Sequence, residues 1–109
     1  MHELSIANGI VEACAERAGA ARVTRVRLEI GKLSAVLPDA VRFCFDICAR
    51  DTVLEGATLE IVETPGRARC RDCDGEVSLM HLVGSCSCGS TNLQVIAGNE
   101  LKIREMELV

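Results

Sequence analysis

The stretch NELKIREMELV, running from Asn99 to Val109, decides how this chain is assembled. Leu101 and Ile103 alternate with Lys102 and Arg104, the two-residue period of a strand with one buried face. Met106 and Leu108 resume the pattern after Arg104-Glu105-Met106 slips it by one residue, which hints at a bulge. A strand needs partners for its backbone, yet residues 67–98 just before it are rich in cysteine, glycine and serine. Its partners must therefore lie further back.

The first half supplies them. Leu4, Ala7, Ile10, Val11, Cys14, Ala15 and Ala18 recur at intervals of three and four with charged residues between, so an amphipathic helix is predicted from Leu4 to Ala18, closed by Gly19. In VTRVRLEIGKL, Val26, Leu28 and Ile30 alternate with Arg25, Arg27 and Glu29, a half-buried strand for which Gly31 marks an end or a bulge. Pro38 is suited to the first turn of a second helix, with Val41, Phe45 and Cys48 on one face and an end near Arg50. A second strand is predicted from Thr58 to Glu63, broken by Pro65-Gly66. The expected fold is α+β: a small three-stranded sheet with two helices, formed by residues 1–65 plus 99–109, and an inserted zinc-ribbon subdomain at 66–98.

At 109 residues the chain is one modest domain with an annex, too small to rely on its apolar core alone. It has no Trp or Tyr and only Phe43 and Phe45 as aromatic residues, so the core is aliphatic. A formal charge of -4 and the lack of aromatic stacking platforms argue against nucleic acid as partner. No apolar run is long enough to span a bilayer and the start is not a signal peptide, so a soluble cytoplasmic protein is expected. Seven cysteines is an odd number, which suits reduced thiols holding a metal better than a disulfide framework.

Four of those cysteines form two pairs. Cys70-Arg71-Asp72-Cys73 is followed after twelve residues by Cys86-Ser87-Cys88, the spacing of a zinc ribbon in which four thiolates converge on one ion. Such a closed site is structural, and zinc in small motifs supplies roughly 10–16 kcal/mol toward folding. The second pair is one residue tighter than C-x-x-C, which leaves His81 in the hairpin as an alternative fourth ligand. Cys14, Cys44 and Cys48 sit on apolar helix faces and read as core.

Met1, His2 and Glu3 present a different chemistry. With a residue as bulky as histidine in second place, the initiator methionine is expected to remain. Its amine, the His2 backbone nitrogen and the His2 imidazole can then close adjacent chelate rings in one plane, with the Glu3 backbone nitrogen, the Glu3 carboxylate or a group from elsewhere as the fourth ligand. Square-planar nitrogen sites suit Ni(II) and Cu(II). Imidazole and amine must both shed protons to bind, so affinity falls in acid.

MHELSIANGIVEAC, VRLEIGKLSAVLPDAVRFCF, EGATLEIVE, the cysteine pairs ending in CGS and the closing GNELKIREMEL together resemble the HypA/HybF hydrogenase nickel-incorporation proteins from end to end. The resemblance implies a nickel metallochaperone, without catalytic activity, that serves [NiFe]-hydrogenase and in some relatives urease. Its implied partners are the maturation GTPase HypB and the hydrogenase large subunit, and a monomer or weak homodimer is expected. It implies nickel at His2, supported by Met1 and Glu3, and zinc at Cys70, Cys73, Cys86 and Cys88. The family commonly closes its zinc motif with C-P-x-C-G-S, whereas this chain reads Ser85-Cys86-Ser87-Cys88-Gly89-Ser90, so a residue is missing or the third ligand has slid by one.

Two rival readings follow from the residues. A zinc-ribbon interaction or regulatory module would use Arg67, Arg69 and Arg71 beside the first cysteine pair, although this alternating run also fits a solvated strand face. A thiol redox sensor would cycle Cys70 and Cys73 to a disulfide.

Overall fold

A computed structural model describes residues 2–109. The elements in chain order are α1 (Glu3–Ala18), β1 (Val23–Gly31), α2 (Pro38–Ala49), β2 (Thr58–Thr64), β3 (Gly66–Cys70), β4 (Glu76–Leu79), β5 (Leu93–Ala97) and β6 (Leu101–Leu108). They form two three-stranded sheets, ordered β2-β1-β6 and β4-β3-β5. The final strand thus lies beside β1, as its pattern requires. No helix among the described residues is long and apolar enough to cross a membrane.

The chain divides into two compact units. The first takes in the described residues up to Leu28, Val36–Val62 and Lys102–Val109. Within it α1 buries Ile6, Ala7, Ile10, Val11, Cys14 and Ala18, and packs against α2, which buries Val41, Phe45 and Ala49. The apolar side of β1 contributes Val23, Val26 and Leu28, all at most 1% exposed, and Leu54 is equally sequestered. Cys14 packs here as a small hydrophobe, and burial pushes its thiol pKa up. Cys44 and Cys48 are half-buried.

The alternate residues of β1 carry charge, and they are not left unpaired. Arg25 donates to Glu60 and, at 2.6 Å, to Glu107; Arg27 donates to Glu60 at 3.3 Å and reaches Glu105 at 3.0 Å. A central strand of arginines flanked by glutamates on both edge strands is a cross-strand ladder. Hydrogen bonding from Arg25 holds the Glu60 carboxyl below the usual glutamate range.

The second unit comprises Glu29–Ala35 and Glu63–Leu101. Here β3 is central, with β4 and β5 both antiparallel to it. Ala68 pairs with Val77 and Val95, so one face gathers Leu33, Ala68 and Leu79, with Val77, Leu93 and Val95 packed against them. The register of β3 with β5 shifts between Arg67 and Ala68, a bulge. Arg67 and Arg69 occupy the opposite, exposed face, where Arg67 pairs with Glu76 at 2.6 Å.

Three glycines let backbones meet closely in this unit. A Cβ on Gly31 would lie 2.0 Å from the Gly98 oxygen, and one on Gly98 would lie 2.4 Å from Gly66 Cα. The approach is held by the Gly31 N–H donating to the Glu100 carbonyl at 2.8 Å and the Leu33 N–H to the Gly98 carbonyl at 2.7 Å.

Candidate metal centres

Cys70 is the last residue of β3, and its antiparallel partner on β5 is Leu93. That register brings the turn after β3 and the turn before β5 to the same end of the sheet. The sulfurs of Cys70, Cys73, Cys86 and Cys88 consequently converge, all within 4.8 Å of one another. Cys70 and Cys88 are 3.7 Å apart, and Cys73 and Cys86 are 3.5 Å apart. Four sulfurs around zinc at about 2.3 Å define a tetrahedron with edges of about 3.8 Å, so the spacing fits that ion. All seven cysteines are free.

The local backbone explains the convergence. The Asp74 N–H donates to the Cys70 carbonyl and the Cys70 N–H to the Gly75 carbonyl, both at 2.8 Å, closing the first turn. In the second, the Cys86 N–H donates to the Ser90 carbonyl at 2.8 Å and the Gly89 N–H to the Cys86 carbonyl at 2.9 Å. The Ser90 hydroxyl donates to Asp72 and accepts the Asn92 N–H at 3.0 Å, tying one turn to the other. Asp72, inside the first cysteine pair, carried no signal of this strap in sequence.

Each sulfur also receives at least one backbone N–H. Cys73 and Asp72 donate to Cys70, Gly75 to Cys73, Cys88 to Cys86 and Ser90 to Cys88. The tight C-x-C pair therefore keeps the donor it needs, because the N–H of Cys88 itself turns onto the Cys86 sulfur. These donors lower the Cys70 pKa to about 6 and lower that of Cys86 as well. Cys73 is pushed up to about 12 and Cys88 is raised: the Gly75 and Ser90 N–H groups pull them down, but the neighbouring sulfurs outweigh that pull. As thiols, then, Cys70 and Cys86 give up their protons more readily than Cys73 and Cys88, whose protons a dication would displace. Cys70 and Cys86 are buried, whereas Cys73 and Cys88 are exposed.

His81 lies exposed after β4 and is not in the converging group. Cys14, Cys44 and Cys48 also stand outside it.

At the other candidate centre, His2 is the N-cap of α1, with extended backbone at φ -80° and ψ 136°. Its carbonyl accepts the Ile6 N–H at 3.2 Å, and its exposed side chain makes no capping hydrogen bond. Glu3 follows in the first turn. The first N–H groups of a helix have no carbonyl one turn earlier to bond, so the backbone nitrogens of His2 and Glu3 carry no intrahelical obligation. Met1, the third residue assigned to this centre, lies outside the described residues.

Comparison with known proteins bears on both centres. The family described as hydrogenase/urease nickel incorporation, metallochaperone, hypA matches residues 1–108. The hydrogenase maturation factor HypA of Nostoc punctiforme is 59% identical over 108 residues, covering 99% of this chain and 96% of that protein. That of Geobacter metallireducens is 47% identical over 109 residues, covering 99% of each. Among solved structures, the Ni metallochaperone HypA from Helicobacter pylori superposes with a TM-score of 0.67 at 26% identity, over 100% of this chain and 98% of the other. A second solution structure, titled HypA protein, gives 0.73 at 28% identity, with 100% and 97% covered. With a match across essentially its whole length, this chain belongs to the HypA family of nickel-incorporation metallochaperones.

Proposed function

We propose that this protein takes up Ni(II) at its N-terminus and passes it, in the cytoplasm, to a maturing [NiFe]-hydrogenase large subunit through the GTPase HypB. In this reading nickel is cargo. The Met1 amine, the His2 backbone nitrogen and the His2 imidazole form three corners of a plane, and Glu3 offers its backbone nitrogen or carboxylate as the fourth. Cys70, Cys73, Cys86 and Cys88 hold zinc permanently, and the labour divides between residues 1–65 with 99–109 for nickel and 66–98 for zinc.

The observation that carries the nickel assignment is His2 as an exposed, extended N-cap. A nitrogen inside the helix would have to surrender a hydrogen bond before binding a metal, whereas those of His2 and Glu3 have none to surrender. The positive end of the helix dipole also favours a deprotonated amide there. Planar nitrogen coordination suits Ni(II), and four thiolates suit zinc, so the two ions are sorted by geometry and not by affinity alone. The chain needs no chemical step of its own: an exposed site releases its ion, and a caged one retains it.

Nickel titration of the zinc-loaded protein, beside His2→Ala and a variant with one residue added before Met1, tests this directly. Both variants are expected to lose the tight nickel site and keep zinc. Undiminished nickel binding by the extended variant would remove the amine from the ligand set, and the planar claw with it.

A further inference from the structure

We propose that Cys44 and Cys48 on α2 form a third metal position, a two-thiolate site for the soft monovalent ion Cu(I), separate from the four-cysteine cluster and from the N-terminus. Residues four apart on a helix are neighbours on its surface, with Cβ atoms roughly 5–6 Å apart. Both thiols are free and half-buried, so each is reachable from solvent. Cys14, the remaining cysteine of this unit, is only 2% exposed and is out of reach.

Spacing decides what the pair can do. A disulfide needs Cβ atoms about 3.5–4.5 Å apart, so the two thiols cannot oxidise to each other while the helix stays intact. An ion between them relaxes that demand. With metal–sulfur bonds of about 2.3 Å, as in zinc thiolates, two sulfurs on opposite sides of one ion stand about 4.6 Å apart. Side chains rooted roughly 5–6 Å apart reach that separation by rotamer choice, without moving the backbone.

The number of donors decides which ion fits. Among the described residues, the one group of three or more metal-ligating side chains that converges is Cys70, Cys73, Cys86 and Cys88, so no third His, Cys, Asp or Glu joins this pair. Structural zinc takes four ligands and Ni(II) a plane of four, so two sulfurs hold neither firmly. Thiolates select Cu(I), which two ligands in line satisfy. The surroundings agree: at three and four residues from the two cysteines along α2 stand Ala40, Val41, Phe45 and Ile47, with no Lys or Arg to repel a cation. Loading gives up two S–H bonds, forms two Cu–S bonds and sends two protons to solvent, with no change in oxidation state.

Anaerobic Cu(I) titration of the zinc-loaded full chain against a chromogenic Cu(I) chelator, with zinc release followed in the same samples, tests the proposal. The first equivalent should bind without releasing zinc, and copper-edge X-ray absorption should show a shell of two sulfurs. Cys44→Ser and Cys48→Ser should each weaken this zinc-sparing binding at least ~100-fold, because even a residue that only supports a metal ligand is worth about 10–100-fold. Cys14→Ala should leave it unchanged. Retained zinc and helical circular dichroism in the serine variants show that the fold has survived. A first equivalent that displaces zinc from the wild type, a shell containing nitrogen, or equally tight zinc-sparing binding by the double serine variant overturns the site.

Discussion

Three glycine-to-alanine substitutions, identical in chemistry, should give three different outcomes. At Gly98 the backbone sits at φ +93°, and the added Cβ meets Gly66 Cα at 2.4 Å, the Pro65 oxygen at 2.6 Å and the Gly66 nitrogen at 2.8 Å. All three are backbone atoms that cannot swing aside. The left-handed conformation costs an L-residue about 1–2 kcal/mol, and forcing packed atoms apart costs a further ~1–3 kcal/mol, so Gly98→Ala should lose about 2–5 kcal/mol. Gly19, the cap of α1, has φ +61° but nothing within 4 Å of an added Cβ. Only the conformational cost applies there, and with ψ at -118° the backbone lies outside the left-handed helical region in a conformation L-residues rarely adopt, so the loss should be about 1–3 kcal/mol. Gly9 lies exposed inside α1, also with open space around it, and Gly9→Ala should stabilise by about 0.5–1 kcal/mol through helix propensity. Urea unfolding of the zinc-loaded proteins, with midpoints compared at constant slope, measures all three. If Gly98→Ala lost no more than Gly19→Ala, the close approach of residues 31, 66 and 98 would not be a constraint of the native state.

Further expectations concern the core, the charges and the thiols. Phe45 is fully buried, so Phe45→Ala should cost about 3–5 kcal/mol in the same unfolding assay. Because the Glu60 carboxyl is held below its ordinary range, its pairing stabilises the fold above the unfolded glutamate pKa, and that gain is lost as pH falls through the folded value. The gap in urea midpoint between wild type and Glu60→Gln should therefore be full at neutral pH, close below the ordinary glutamate range, and narrow with added salt. Replacing Cys14, Cys44 and Cys48 together with serine should leave one zinc per chain by metal analysis, whereas Cys70→Ser or Cys86→Ser should lower zinc retention against a chelator. Equal retention in both sets would dissolve the distinction between packing and liganding cysteines.

Much of the first unit was legible in the sequence because its elements announce themselves by period. The helix predicted from Leu4 begins one residue earlier, at Glu3, and ends at Ala18 as expected; the strand around Val26, Leu28 and Ile30 spans Val23–Gly31; Pro38 opens the second helix. The convergence of Cys70, Cys73, Cys86 and Cys88 followed from spacing, since two knuckles on paired strands have few other ways to close. Non-local pairing left no periodic trace. The three-stranded sheet around β3 was visible only as a hairpin, and nothing local tells that Arg25 will meet Glu60 and Glu107 across two strand boundaries. Gly31 reads as a strand end or bulge and Gly66 as part of a strand break; the close approach of each to Gly98 exists only in the folded chain. The tight C-x-C spacing leaves His81 open as a ligand in the sequence, whereas in the fold the N–H of Cys88 itself supports the Cys86 sulfur and His81 stands outside the cluster.

The central claim is that nickel and zinc occupy chemically separate places in one chain. X-ray absorption at the nickel and zinc edges of the same doubly loaded sample tests it most directly. The account predicts a planar nickel environment of nitrogen, with at most one oxygen and no sulfur, beside a zinc environment of four sulfurs. Sulfur in the nickel shell, with the spectrum unchanged by His2→Ala, would contradict it.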